Sequence, residues 1–341
     1  MAHRFTTVSV CPECAVELPA DIVFADDGMV CMEKRCDAHG EFRALVEKDQ
    51  AFYARLRGST KGIYPGHFID VTTRCNLNCP YCYYPCRESQ DPSIERIVQE
   101  ARCYPVPTYL TGGEPTLRKD LPDLLQRLQQ HQGAAMPTNG IGLLDMDFLK
   151  AVLQRIGRYD DHIARIALSW HGALNEKVFR RVLENVRELN ERISGPIFVL
   201  RELDELPSFL AIAKEYADCI DFARIHMATD IWDAQDHRQL FMSDILKYLA
   251  GHAKDHGVDF AWNADYSTYW MPARFGNVRL TLARWFTRHD IDLGYLPLNP
   301  TYRAKNGECT QLIYGFIINE AMQRGWIKGR RMDEQMAVKH G

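Results

Sequence analysis

The stretch "VTTRCNLNCPYCYYP" (Val71–Pro85) places Cys75, Cys79 and Cys82 at C-x3-C-x2-C spacing, directly after the alternating apolar run "GHFIDV". Three thiols on one short loop at a strand's end are one too few for a closed tetrahedral zinc site, and the wrong number for a disulfide framework. Thiolates at short spacing also hold iron–sulfur clusters, where four would saturate a [4Fe–4S] cube. With three, one iron keeps an open position, by the logic that separates catalytic from structural zinc sites. An open iron can take a ligand through an amino nitrogen and a carboxylate oxygen. The competing reading is a structural zinc knuckle, although the spacing lacks the second C-x2-C pair that such sites favour.

Outward from this loop, the chain alternates strand and helix. "GHFIDVTT", "PTYLTGG", "GAAMPTNG", "HIARIALSW", "GPIFVLRE" and "DFARIHMAT" read as strands. Most are separated by helical patterns such as "PSIERIVQEARC", "LRKDLPDLLQRLQQH" and "EKVFRRVLENVRELNERI". Strands alternating with helices predict βαβ units and a parallel sheet, open or curled into a partial barrel. Residues 1–55 differ: the short β-like runs "DIVFA" and "GMVCMEK" meet at Asp-Gly and His-Gly turns. The organisation predicted is a small N-terminal module over 1–55, an α/β core over 66–232 and a C-terminal capping segment over 233–341. That last part contains a helix at "SDILKYLAGHAKDHG", the aromatic "FAWNADYSTYWMPARFG", helical "CTQLIYGFIINEAMQRG" and a polar tail.

The bulk numbers suit a cytoplasmic enzyme. The chain has 341 residues, 46% hydrophobic and 25% charged, with a formal net charge of -4. This slight acidity argues against a nucleic-acid platform. No apolar run approaches the roughly 20 residues needed to span a bilayer, and no export signal opens the chain. Eleven cysteines in such a chain point to metal or redox chemistry.

A C-x3-C-x2-C loop after the first strand of a parallel sheet resembles the signature of the radical S-adenosylmethionine (radical SAM) superfamily, with the aromatic Tyr81 just before the third cysteine. The resemblance implies a partial (β/α)6 barrel and a [4Fe–4S] cluster on Cys75, Cys79 and Cys82. Its open iron would chelate the methionyl end of S-adenosylmethionine. Reductive cleavage would then yield a 5'-deoxyadenosyl radical that takes hydrogen from a substrate, with a reductant such as flavodoxin or ferredoxin as partner. In "LTGGEP", Gly112 and Gly113 permit close backbone approach, and Glu114 offers an acceptor for the methionyl ammonium. Asn139 in "MPTNG" matches the third-strand end. Ser169 in "IALSWHG" matches the fourth, where a polar side chain contacts the ribose. His171 is a turn residue or a substrate contact. Arg201 and Glu202 stand where the adenine region would fall.

The N-terminal module has its own pattern. "CPEC" with "CMEKRCDAHG" gives C-x2-C-x16-C-x4-C, so Cys11, Cys14, Cys31 and Cys36 suffice for an S4 site holding zinc or a rubredoxin-type iron. His39 could replace one cysteine, though a turn role before Gly40 is the first reading. So small a module needs a metal to fold. A ribbon of this kind before a radical SAM domain is similar to a subgroup that includes tetraether lipid synthase and a pterin-methylating enzyme. No clustered C-terminal cysteines of the lipid-synthase kind occur. Cys86, Cys103, Cys219 and Cys309 are scattered, and Cys309 in "KNGEC" is the candidate hydrogen donor or covalent site.

His226, Asp230, Trp262 and Asp265, with Asn263 and Tyr269, are candidates to line a closed pocket at the C-terminal end of the sheet. Their residue types favour a polar small-molecule substrate over a lipid. Two rivals remain at this stage: a peptide-modifying maturase that grips a leader with its ribbon, and a non-catalytic zinc-binding interaction protein.

Overall fold

The computed structural model describes residues 3–14, 16–57, 67–79, 90–103, 108–130, 134–156, 165–227, 240–256, 258–259, 270–275, 278–283 and 289–290. The N-terminal module is a four-stranded antiparallel sheet in the order β1-β2-β3-β4. Its strands are β1 (His3–Val10), β2 (Glu17–Phe24), β3 (Val30–Cys36) and β4 (Gly40–Glu47). The β-like runs expected here form the middle pair. The flanking strands "HRFTTVSV" and "GEFRALVE" lie outside those runs, because their charged and hydroxyl residues dilute the alternation. Helix α1 (Gln50–Arg57) follows and buries Tyr53 edge-on to Phe24 at 5.9 Å.

All six core strands expected from the sequence form: β5 (His67–Thr72), β6 (Thr108–Gly112), β7 (Ala134–Thr138), β8 (Ile166–Trp170), β9 (Ile193–Leu200) and β10 (Ile220–Met227). They pair parallel, each with the next. The intervening helices are α2 (Ile94–Arg102), α3 (Leu121–Gln129), α4 (Met146–Arg155), α5 (Glu176–Glu188) and α6 (Leu206–Glu215). Three of these starts are legible locally. Ser93 accepts from the Arg96 N–H, Asp145 accepts from Asp147 and Phe148, and Pro122 occupies the first turn of α3. Helix α5 buries Phe179, Val182, Leu183 and Val186, the i, i+3, i+4, i+7 stripe of a helix lying on a sheet.

These faces close one core. Ile69, Leu110, Met136, Leu168, Phe198 and Ile225 meet the helices. Their strand neighbours Tyr109, Ala135, Ser169, Ile197, Arg224 and His226 therefore project to the other face. Tyr109 and Arg224 are four strands apart, ~19 Å across a flat sheet at about 4.8 Å per strand. Arg224 is nonetheless near enough to Tyr109 to oppose the rise that burial gives the phenol's pKa. The sheet must curl, with that second face concave.

The sheet continues beyond the expected six strands. After α7 (Met242–His256) come β11 (Val258–Asp259), β12 (Trp270–Phe275) and β13 (Val278–Ala283). β13 joins β10 in parallel, and β12 and β11 add antiparallel. Part of the segment expected to cap the barrel thus extends its sheet. The helix expected at "CTQLIYGFIINEAMQRG" lies outside the described residues. The ribbon docks on α7. Ser243 Oγ donates to Glu47 Oε1 at 2.5 Å with both residues buried, and Lys48 reaches Asp244 at 3.2 Å. Among the described residues, no helix is long and apolar enough to cross a membrane.

Candidate functional site

The cysteine loop leaves β5 where β6 ends. Cys75 and Cys79 are half-buried there; Tyr81 and Cys82 lie outside the described residues. The Gly113 N–H donates to Thr72 O and the Glu114 N–H to Arg74 O, both at 2.8 Å. So close a crossing requires glycine. A Cβ on Gly112 would meet Thr72 O at 2.0 Å, on a backbone with φ +116, and a Cβ on Gly113 would meet Arg74 O at 2.0 Å. The Gly-Gly pair thus seats the backbone one residue before Cys75. Arg74 pairs with Asp91 at 2.5 Å, and Thr72 Oγ1 donates to the same carboxylate at 2.7 Å. The buried Arg118 donates to Val71 O and Pro92 O at 2.9 and 2.7 Å, binding both flanks of the loop.

Glu114 is 2% exposed and accepts four hydrogen bonds. Oε1 takes the Thr116 N–H, Thr116 Oγ1 and Thr138 Oγ1 at 3.0, 2.6 and 2.7 Å, and Oε2 takes the Asn139 N–H at 2.7 Å. Burial raises its pKa against these bonds. Its carboxylate links the ends of β6 and β7, and among the described residues Oε2 accepts this one bond, of the two an oxygen can take. Asn139 Nδ2 then donates to Asn76 Oδ1, inside the cysteine loop, at 2.9 Å. Asn175 at the start of α5 does not cap its helix with its side chain. Nδ2 instead donates to Ser169 O and Asn139 O at 2.8 and 3.2 Å, and Oδ1 accepts the His171 N–H at 2.7 Å. Gly113, Glu114, Asn139, Ser169 and His171 are so brought to one end of the sheet with Cys75. Burial pushes the His171 imidazole down to about 4, so it is neutral at ordinary pH.

Further candidates follow from β9 and β10. Arg201 donates from its N–H and from Nη2 to Glu205, both at 2.7 Å, within a capping box shared with Glu202. These two residues close the turn after β9. His226 is buried on β10, held well below the usual histidine range by burial and by Arg224. Asp230, Trp262, Asn263, Asp265, Tyr269 and Cys309 lie outside the described residues. Sequence reasoning passed over Tyr109, Arg224, Asn76 and Asn175. For Arg224 a signal existed: a parallel strand covered on both faces reads as nearly continuous apolar residues. In "DFARIHM", Arg224 and His226 break that run on one face.

In the ribbon, the metal donors differ from the set expected. Cys11, Cys14, Cys36 and His39 bring their donor atoms within 4.8 Å of one another. His39 Nδ1 is 3.5 Å from the sulfurs of both Cys11 and Cys36, and Cys14 Sγ is 3.9 Å from Cys36 Sγ. A tetrahedron with metal–sulfur bonds of about 2.3 Å has edges near 3.8 Å, so the donor set fits zinc or iron. Hydrogen bonding to His39 brings the Cys36 thiol down to about 7, toward the thiolate that a metal needs. Cys31 is the correction. It lies within β3, paired with Val23 and Leu45, while Cys36 ends the strand. Five residues of strand separate the two by about 16 Å and turn them to opposite faces. His39 takes the fourth position because the tight turn after Cys36 folds it back, with its N–H donating to Cys36 O.

Comparison with known proteins agrees with both halves. Residues 69–204 match the profile of the Radical SAM superfamily. Residues 4–48 match the HMPTM N-terminal zinc ribbon domain. The chain is 34% identical to a 7,8-dihydro-6-hydroxymethylpterin dimethyltransferase of Methanocaldococcus jannaschii, over 42% of this chain and 36% of that protein. It is 31% identical to a protein of Thermoplasma volcanium named "Probable GTP 3',8-cyclase", over 43% of this chain and 49% of the relative. A protein of the same name from Archaeoglobus fulgidus is 43% identical over 21% of this chain and 27% of its own length. The chain spans about half or less of the length of these relatives. A radical SAM domain implies a [4Fe–4S] cluster and S-adenosylmethionine. The half-buried thiols of Cys75 and Cys79, on a loop whose backbone is seated against Gly112 and Gly113, suit that requirement.

Proposed function

We propose, from the premise that this chain carries a radical SAM domain behind an N-terminal zinc ribbon domain, that it is an enzyme acting on a small planar heterocycle of the pterin or guanine type. Cys75, Cys79 and Cys82 would hold the [4Fe–4S] cluster, and Cys11, Cys14, Cys36 and His39 one structural zinc. With S-adenosylmethionine bound, the cluster would supply reductive cleavage of its C–S bond and so hydrogen-atom abstraction from the substrate. The chain's own residues do the positioning. Gly112 and Gly113 seat the loop, the open side of Glu114 Oε2 accepts the methionyl ammonium, and Asn139 and Ser169 face the nucleoside portion. The barrel excludes water, which a primary carbon radical requires if it is to attack one chosen C–H bond.

One observation carries this reading: hydrogen bonds join the cysteine loop to the ends of β6, β7 and β8, through Gly113, Glu114, Asn139 and Asn175. A structural zinc knuckle needs no such convergence on the mouth of a parallel sheet. The substrate class comes from the relatives. A dihydropterin and GTP share a 2-amino-4-oxopyrimidine ring, so one pocket chemistry serves both named activities. A flavodoxin or ferredoxin in a reducing cytoplasm is the matching electron source.

Anaerobically reconstituted protein given S-adenosylmethionine and dithionite should be brown and form 5'-deoxyadenosine, faster with a dihydropterin or GTP present. Cys79→Ala should be colourless at this site and inactive. A colourless wild type that binds only zinc would sink the proposal and leave the non-catalytic zinc protein standing. Stimulation by peptides instead of heterocycles would move the assignment to a maturase.

A further inference from the structure

We propose that Arg224 reads the carbonyl-and-ring-nitrogen edge shared by dihydropterins and guanine, with Tyr109 and His226 completing the polar lining of the barrel's concave face. The inference rests on the substrate class above and assigns to it a residue that no motif marks. Among the described residues of β5–β10, Arg224 is the one cation on the concave strand face. Ala135, Ala167, Ile197 and Val199 share that face, as their strand neighbours are packed against the helices. A guanidinium set among such side chains is a specific recognition element and not a solvated surface charge.

Its level in the sheet is the second argument. Arg224 pairs in register with Ile197, and Ile197 with Ser169. It therefore stands level with the strand end whose carbonyl Asn175 ties to Asn139 and hence to the cysteine loop. A substrate held there meets the chemistry at that end of the barrel. Tyr109 approaches from across the curled sheet, near enough that the Arg224 charge opposes the rise that burial gives its pKa. His226 stands two residues further toward the mouth on the same face of β10.

The ligand edge follows from donor chemistry. A guanidinium presents a planar fork of donors and no acceptor. The fork matches guanine O6 and N7, the pair that arginine reads bidentately in nucleic acids. In a 7,8-dihydropterin, O4 and N5 occupy the same adjacent positions. Burial brings the Arg224 pKa down to about 10, still cationic at neutral pH, and keeps the Tyr109 phenol protonated. His226, held neutral, offers one donor and one acceptor. Within a low-dielectric barrel these bonds discriminate strongly, because a mismatched edge leaves the guanidinium facing a donor.

The test measures binding by reconstituted full-length protein under anaerobic conditions, without turnover. The probes are 6-hydroxymethyl-7,8-dihydropterin and GTP, each paired with an analogue whose carbonyl is replaced by an amino group: the 2,4-diamino dihydropteridine and 2-amino-ATP, the 2,6-diaminopurine nucleotide. Wild type should bind each carbonyl ligand at least about tenfold more tightly than its amino partner. Arg224→Gln should lose at least about tenfold for the carbonyl ligands and narrow the gap, with iron and zinc contents unchanged. Arg224→Lys, which keeps the charge and loses the fork, should fall between. The analogue comparison on wild type decides the matter even where a variant fails to fold. Equal affinity for both members of each pair would overturn the role of Arg224 and leave the proposed substrate class standing. Binding of neither dihydropterin nor GTP by wild type would overturn the substrate class, and this inference with it.

Discussion

Asn139 Nδ2 donates to Asn76 Oδ1 at 2.9 Å, across 63 residues of sequence, and so holds the third strand's end against the cysteine loop. The same side chain accepts the Ile141 N–H at 2.9 Å, so it spans loop and turn. Asn139→Ala should leave the ribbon metal in place and cost about 1–2 kcal/mol of stability. Iron retention and 5'-deoxyadenosine formation should fall several-fold. Metal analysis beside the activity assay checks this; unchanged iron retention would show that Asn76 is held by other means.

Gly113→Ala should be among the most damaging single substitutions in the core. Its Cβ would lie 2.0 Å from Arg74 O, and backbone cannot swing away as a flexible side chain can. A loss of about 3 kcal/mol or more is expected in chemical denaturation. Gly28→Ala is the control: nothing stands within 4 Å there, so only the positive φ opposes it, and the cost should be about 1 kcal/mol.

The ribbon prediction separates two cysteines only five residues apart. Cys31→Ser should retain one metal per chain, whereas Cys36→Ser and His39→Ala should lose it to a mild chelator and lower the melting temperature. Loss of metal from Cys31→Ser with retention in His39→Ala would reverse the assignment.

Glu114→Gln tests the four-donor carboxylate. Glutamine can turn its carbonyl toward the three donors at Oε1, but its amide NH2 then faces the Asn139 N–H, donor against donor. A cost of about 2–4 kcal/mol is expected, with loss of S-adenosylmethionine binding. Denaturant midpoint and equilibrium dialysis read the two effects separately.

The ribbon's seat on α7 depends on Glu47 and Ser243, both buried. Ser243→Ala removes the donor and leaves a buried carboxylate short of a partner, so about 1–3 kcal/mol should be lost. Limited proteolysis should then cut between ribbon and core faster than in wild type, while zinc content stays constant.

Much of this was readable along the chain. Six strands and the helices between them follow from apolar periodicity, because burial against a sheet imposes it residue by residue. The C-x3-C-x2-C loop and the Gly-Gly-Glu turn were legible because their chemistry lies in neighbouring residues. The outer ribbon strands were not, since a small antiparallel sheet buries too little apolar surface to write a clear alternation. The extension by β12 and β13 was also hidden, because pairing partners far apart in sequence leave no local trace.

What the sequence by itself determined was the order of elements, the three-thiol loop and the presence of a second thiol cluster. Tertiary structure alone decided which donors of that cluster meet. Cys31 has the spacing, but strand geometry carries it away from Cys36 while a turn returns His39 to the same sulfur. Tertiary structure likewise decided that Asn139 answers Asn76, and that Arg224 shares the concave face with Tyr109. Spacing constrains neighbours along a chain, whereas distance between remote residues is set by register and sheet curvature. Those depend on every strand at once.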